Sequence, residues 1–155
     1  MSKADTSVKI LSVNKKARFN YLIEESLECG IELKGTEVKS IRSNKFSYSD
    51  SYCKVIDGEL WLTGFHISPY DFGNIHNHDP LRERRLLAHS SEIKKLGKKV
   101  AEKGYTLVPL KVYLKKGKVK IELGIGKGKK LFDKRESIKE KDTTRETLRE
   151  IKNKY

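Results

Sequence analysis

The chain has 155 residues, 36% of them apolar and 35% charged, and its 34 basic residues outnumber 21 acidic ones to leave a formal net charge of +13. One compact domain with an extension fits this length, and an excess of one sign this large suits a protein that holds a polyanion, nucleic acid first. Two cysteines without CxxC spacing, Cys29 and Cys53, exclude a disulfide framework; no apolar run nears the ~20 residues of a membrane helix and residues 1–7 lack the apolar segment of a secretory signal, so a soluble, cytoplasmic protein is expected.

In chain order, Asn14-Lys-Lys-Ala-Arg-Phe-Asn-Tyr21 first interleaves cations with amides and aromatics, a composition suited to phosphates and unpaired bases. Residues 19–33 alternate apolar and polar with period two, which predicts a long strand that bends or bulges near Glu25 or Gly30. Residues 35–44 predict a short helix capped by Thr36, with Val38 and Ile41 facing inward and Lys39 and Arg42 outward. Strands are expected at 52–56 and 60–67, joined by an Asp57-Gly58 hairpin turn. Residues 69–85 read as a long loop.

Ile93, Leu96 and Val100 then recur at helical spacing over residues 91–103, with Ser91 as cap, Gly104 as stop, and Gly97 weakening the helix by about 1 kcal/mol. Lys94, Lys95, Lys98 and Lys99 form its other face, read as solvated. Val108, Leu110, Val112 and Leu114 alternate with polar partners, Lys116-Gly117 is a turn, and Val119, Ile121, Leu123 and Ile125 continue the alternation. This predicts a hairpin with one apolar and one basic face. Together these elements predict a mainly β fold: a closed or nearly closed antiparallel barrel of the OB type with short flanking helices.

The glycines at 124, 126 and 128 fit neither a Walker loop nor a dinucleotide fingerprint; they let backbone approach a partner while Lys127, Lys129 and Lys130 supply charge. Beyond them, residues 134–155 hold only Ile138, Leu148, Ile151 and Tyr155 as residues able to bury. Ser137-Ile-Lys-Glu140 has capping-box form. The expectation is a barrel domain over residues 1–132 and a basic tail over 133–155, disordered when free and helical on RNA.

His76-Asn77-His78-Asp79 invites a metal reading, but neither a cysteine pair nor HExxH accompanies it. There is no GxSxG and no argument for paired carboxylates, so catalysis is unsupported and no cofactor is expected. Two alternatives to a dedicated RNA adaptor stand at this point: a small barrel nuclease using His76, His78 and Asp79 on a metal, and a module that stabilises ribosomal RNA.

Six segments together resemble the SsrA-binding protein (small protein B) family: Asn14–Tyr21, Gly35-Thr-Glu-Val-Lys-Ser-Ile-Arg42, Asp50-Ser-Tyr52, His78-Asp-Pro-Leu-Arg82 with residues 84–87, Gly104-Tyr-Thr-Leu-Val-Pro-Leu110, and Lys127-Gly-Lys-Lys130 leading into Asp133-Lys-Arg135. The resemblance implies an OB-like barrel, not an enzyme, that works as a monomer with tmRNA and the ribosome. It implies binding to the tRNA-like domain of tmRNA, entry into stalled ribosomes, and a tail that turns helical in the empty mRNA channel. The incomplete peptide is then tagged for proteolysis. By position it assigns RNA contact to Asn14, Lys15, Arg18, Tyr21, Glu28, Lys39, Ser40, Arg42, Lys127, Lys129 and Lys130. It assigns ribosome contact, at the small-subunit decoding centre and its 16S rRNA, to Asp133, Lys134, Arg135, Ile138 and Lys139. Gly126 stands where alanine is common in the family, and Thr143 where many members place tryptophan.

Overall fold

The computed structural model describes residues 8–72, 77–129 and 135. Its elements run β1 (Val8–Val13), α1 (Lys15–Asn20), β2 (Tyr21–Ile31), α2 (Gly35–Arg42), β3 (Phe46–Ser47), β4 (Tyr52–Ile56), β5 (Glu59–Thr63), β6 (His66–Ile67), β7 (Arg84–Leu87), α3 (Ser90–Lys103), β8 (Thr106–Lys115) and β9 (Lys118–Gly128).

Six strands close a ring, each antiparallel to its neighbours: β8 pairs β4, then β5, β7, β2 and β9 follow, and β9 returns to β8. Closure leaves no free edge inside the ring. β8 is long enough to serve two partners on one side. It meets β4 at Leu107 and β1 from Lys111 to Lys115. The expected antiparallel barrel with short helices is therefore present, and the tail expected to join it lies, apart from Arg135, outside the described residues.

Its interior is made by alternate residues of the ring strands: Cys29, Leu60, Leu62, Leu86, Leu107, Val112, Ile121, Leu123 and Ile125 are all buried in one cluster. Two hairpins are closed by the dipeptides read from sequence. Asp57 and Gly58 (φ 51° and 76°) and Lys116 and Gly117 (φ 53° and 75°) each supply the pair of positive φ angles that a tight two-residue turn needs.

Several expectations are corrected. The strand expected from residue 19 begins at Tyr21, because Asn14 caps α1 and its helix carries Phe19 and Asn20. The strand expected over 60–67 breaks at Gly64 (φ 75°), and β6 pairs β3 in a separate two-stranded sheet. The loop expected over 69–85 ends earlier, since Arg84 opens β7. The N-cap of α2 is Lys34, whose N–H donates to Glu37 Oε1 at 2.7 Å, whereas the Thr36 hydroxyl bonds His78 Nδ1 at 2.9 Å. The cap of α3 is His89, and Gly104 ends that helix in the left-handed region (φ 67°), as expected.

The largest correction concerns the last hairpin. Its apolar residues do not share one face, because a β-bulge at Leu110 shifts the register against β9. Leu107 and Val112 enter the barrel, while Val108 and Leu110 form a second small cluster with Ala17 of α1, flanked by Tyr21 and Ile23. A matching bulge at Glu24 lies in β2, and no bulge occurs at Gly30. The glycines of β9 serve this packing. A Cβ on Gly124 would lie 2.8 Å from Leu110 Cγ, and one on Gly126 would lie 2.2 Å from the Leu22 carbonyl oxygen at the β2 bulge. Two of the three glycines thus admit neighbouring protein rather than a ligand.

Candidate nucleic-acid interface

Helix α1 presents the first basic cluster, and Asn14 builds it. The Asn14 side chain accepts from the Ala17 N–H at 3.3 Å and donates to the Pro109 carbonyl at 2.8 Å, while its own N–H donates to the Leu110 carbonyl at 2.7 Å. Ala17 is pressed onto Val108 and Leu110, so Lys15, Lys16 and Arg18 point into solvent. Asn14 is largely buried, and these bonds give it a structural role in holding α1 to β8.

The second basic segment lies beside the first. Register places Tyr21 opposite Gly128 and Leu22 opposite Lys127, and the Lys129 N–H donates to the Asn20 carbonyl at 2.8 Å. Lys15, Arg18, Lys127 and Lys129, more than a hundred residues apart in sequence, are brought to one end of the barrel. Tyr21 is half-buried against the Ala17 cluster with part of its surface open.

Tyr105, to which the sequence reading gave no role of its own, orders this end. Lys127 Nζ stands 4.9 Å and Lys99 Nζ 6.0 Å from its ring centre, and its hydroxyl donates to the Glu24 carboxylate. That hydrogen bond, with the neighbouring negative charge, raises the Tyr105 pKa. Lys99 also pairs with Glu25 at 2.6 Å, and the Lys99 hydrogen bond and charge hold the Glu25 carboxyl below its ordinary range.

Helix α2 carries a separate cluster. Lys39 and Arg42 are exposed as expected; Lys39 Nζ lies 5.2 Å from the Tyr70 ring centre, and Arg42 Nη2 donates to the Gly117 carbonyl at 2.9 Å. Gly117 is the turn of the β8–β9 hairpin and Gly128 its far end, about ten residues or roughly 30 Å away. The two basic clusters thus flank the barrel lengthwise. Ser40, expected beside Lys39 and Arg42 as an RNA contact, is buried on the inward face of α2.

Glu28 points outward from β2, as its parity requires. Lys115 Nζ donates to it at 3.2 Å. Burial opposes its charge, but hydrogen bonds from Lys115 and Tyr113 outweigh burial and hold the carboxyl below its ordinary value. Burial, then the bond to Glu28, raises the Tyr113 hydroxyl. The expected basic face of the hairpin is therefore mixed: Lys111 also meets Glu122, at 3.5 Å.

Of the expected ribosome-contact residues, Arg135 is exposed, and Asp133, Lys134, Ile138 and Lys139 lie outside the described residues, as do Lys130 and His76. His78 is buried, with Nδ1 on Thr36 and Nε2 on the Ile67 carbonyl, both at 2.9 Å. Both ring nitrogens are used by the fold, which removes His78 from the metal-nuclease alternative. Among the described residues no group of three or more His, Cys, Asp or Glu is placed to hold a metal, and no helix is long and apolar enough to cross a membrane.

Comparison with known proteins gives this arrangement a family. The family model described as SmpB protein matches residues 11–153. The SsrA-binding protein of Treponema denticola is 54% identical over 147 residues, covering 95% of this chain and 96% of that one, and that of Acetivibrio thermocellus is 56% identical over the same length and shares. A chain of the solved structure "tmRNA-SmpB: a journey to the center of the bacterial ribosome" is similar with a TM-score of 0.66 at 45% identity, covering 82% of this chain and 93% of that chain. With two basic clusters on a closed barrel and relatives matching nearly end to end, this chain belongs to the SmpB family of SsrA-binding proteins.

Proposed function

We propose that this chain binds the tRNA-like domain of tmRNA, delivers it to stalled ribosomes, and so enables rescue and the tagging of incomplete peptides for proteolysis. Residues 1–132 form the RNA-gripping barrel, and residues 133–155 enter the empty mRNA channel at the small-subunit decoding centre. The observation that carries this reading is the convergence of Lys15 and Arg18 on α1 with Lys127 and Lys129 at the end of β9, a short positive ridge suited to a phosphate backbone. Family membership supplies the identity of the RNA.

The test is to sequence the RNA that copurifies with the tagged full chain from its own cell. tmRNA enriched far above its abundance is the expected result. 16S rRNA alone would instead indicate a ribosomal module, and a broad transcript pool would indicate a nuclease or a non-specific binder.

A further inference from the structure

Where α3 runs into β8, Tyr105 engages a cation with its ring and a carboxylate with its hydroxyl. Gly104 ends the helix at φ 67°, the Tyr105 N–H donates to the Lys99 carbonyl at 3.4 Å, and the ring packs half-buried against the main core. The ring is therefore a fixed platform. Thr106 pairs with Gly126, so Tyr105 lies one step further along, across from Lys127. The exposed Lys127 side chain rests its Nζ 4.9 Å from the ring centre, drawn by the negative face of the ring.

A regular strand sends consecutive side chains to opposite faces, but the bulge in β2 brings Glu24 and Glu25 to the same corner. Glu25 pairs with Lys99 at 2.6 Å, and Glu24 accepts the Tyr105 hydroxyl. Two cations thus meet two carboxylates, yet only one ion pair forms. Among the described residues none engages Lys127 or Glu24, although both are exposed. What occupies Glu24 instead is a charge-assisted hydrogen bond from a residue that the core holds still.

We propose that Tyr105 is a positioning residue for RNA binding: its hydroxyl restrains Glu24 and so keeps the Lys127 ammonium free for a phosphate. Without that hydroxyl, the Glu24 carboxylate swings to Lys127 and competes with RNA for the same charge. The inference rests on the proposed phosphate contact of Lys127.

Tyr105→Phe tests this, because it keeps the ring and removes only the hydroxyl. Affinity of the full chain for a tRNA-like-domain transcript of tmRNA should fall roughly 2- to 5-fold, the range of an exposed ion pair that must be broken. Glu24→Gln should restore wild-type affinity to the Tyr105→Phe chain and gain less in the wild-type chain. In a Lys127→Gln chain, Tyr105→Phe should change nothing, since the effect passes through that ammonium.

NMR of the free chain supplies a readout that a merely structural role would leave alone. The Lys127 ε-methylene protons, shifted upfield over the ring in wild type, should move toward the ordinary lysine position in Tyr105→Phe. They should return when Glu24→Gln is added. An unmoved Lys127 signal, unchanged affinity in Tyr105→Phe, a loss that Glu24→Gln leaves in place, or one that persists without Lys127 overturns the inference. If Lys127→Gln alone binds as tightly as wild type, the phosphate ridge of the proposed function fails, and this inference with it.

Discussion

The Glu37 carboxylate and the Arg84 guanidinium, both sealed from solvent, pair where α2 meets β7. Arg82 reaches the other carboxylate oxygen at 2.6 Å, and the Lys34 N–H donates to that oxygen at 2.7 Å. Arg84 also donates to the Phe65 carbonyl at 2.7 Å. One buried ion pair therefore fastens α2, and with it Lys39 and Arg42, to the barrel wall and to the segment before β6.

Removing one partner leaves an uncompensated buried charge, so Glu37→Ala should cost about 3–5 kcal/mol of stability, read from the shift of a urea midpoint. Burial resists the Glu37 charge, but hydrogen bonds from Arg82, the Lys34 N–H and Arg84 outweigh it and depress the carboxyl pKa. The stability this carboxylate contributes is full above the unfolded value of about 4.3 and fades as pH falls through the lower folded value. Wild type should lose stability on that acid limb, and Glu37→Gln should lose less there.

Gly124→Ala should destabilise the barrel by about 1–3 kcal/mol, because the added methyl runs into the Leu110 side chain in a packed site. Leu110→Ala in the same chain should recover part of that loss. Thermal melts of the two single variants and the double variant check it. Strict additivity would show that the two residues do not share the space.

Replacing Lys15, Lys127 and Lys129 with glutamine should weaken tRNA-like RNA binding. The slope of log affinity against log salt should shallow by roughly 0.7–0.9 for each phosphate that is no longer neutralised. Titrations at several salt concentrations measure this. An unchanged slope would mean that the ridge does not touch phosphate.

Asn14→Ala should lower the melting temperature through loss of the α1 cap, a cost of about 0.5–2 kcal/mol, and leave the Pro109 carbonyl without its side-chain donor. Its effect on RNA affinity should be smaller than that of the triple lysine variant, with the salt slope kept. A large affinity loss in a normally stable variant would return Asn14 to direct contact with RNA.

Deleting residues 134–155 should leave affinity for the tRNA-like domain nearly unchanged while abolishing peptide tagging on stalled ribosomes. Gel-shift titration and a tagging reaction on a message lacking a stop codon read the two halves separately. Equal loss of both would show that the tail belongs to the tmRNA grip.

Much of this molecule was legible before its structure. The hairpin turns at Asp57-Gly58 and Lys116-Gly117, the alternation in β2 and β9, and the apolar spacing of α3 are local signals, and each produced the element expected. α1 and β7 were missed because six and four residues are too few for a period to show. The faces of β8 were misread because alternation continues unbroken through Leu110, and only pairing with β9 reveals the bulge.

By itself, then, the residue order determined the polyanion preference, the barrel class and the family, since charge excess, strand periodicity and turn chemistry are properties of neighbours along the chain. Tertiary structure alone decided that Asn14 and Ser40 turn inward, that Glu37 and Arg84 can be buried at all, and that Lys99 and Lys127 both meet the Tyr105 ring. The reason is physical: whether a polar side chain faces water or is sealed depends on which distant group meets it. Those meetings are made by strand register and closure of the ring, which no local pattern encodes.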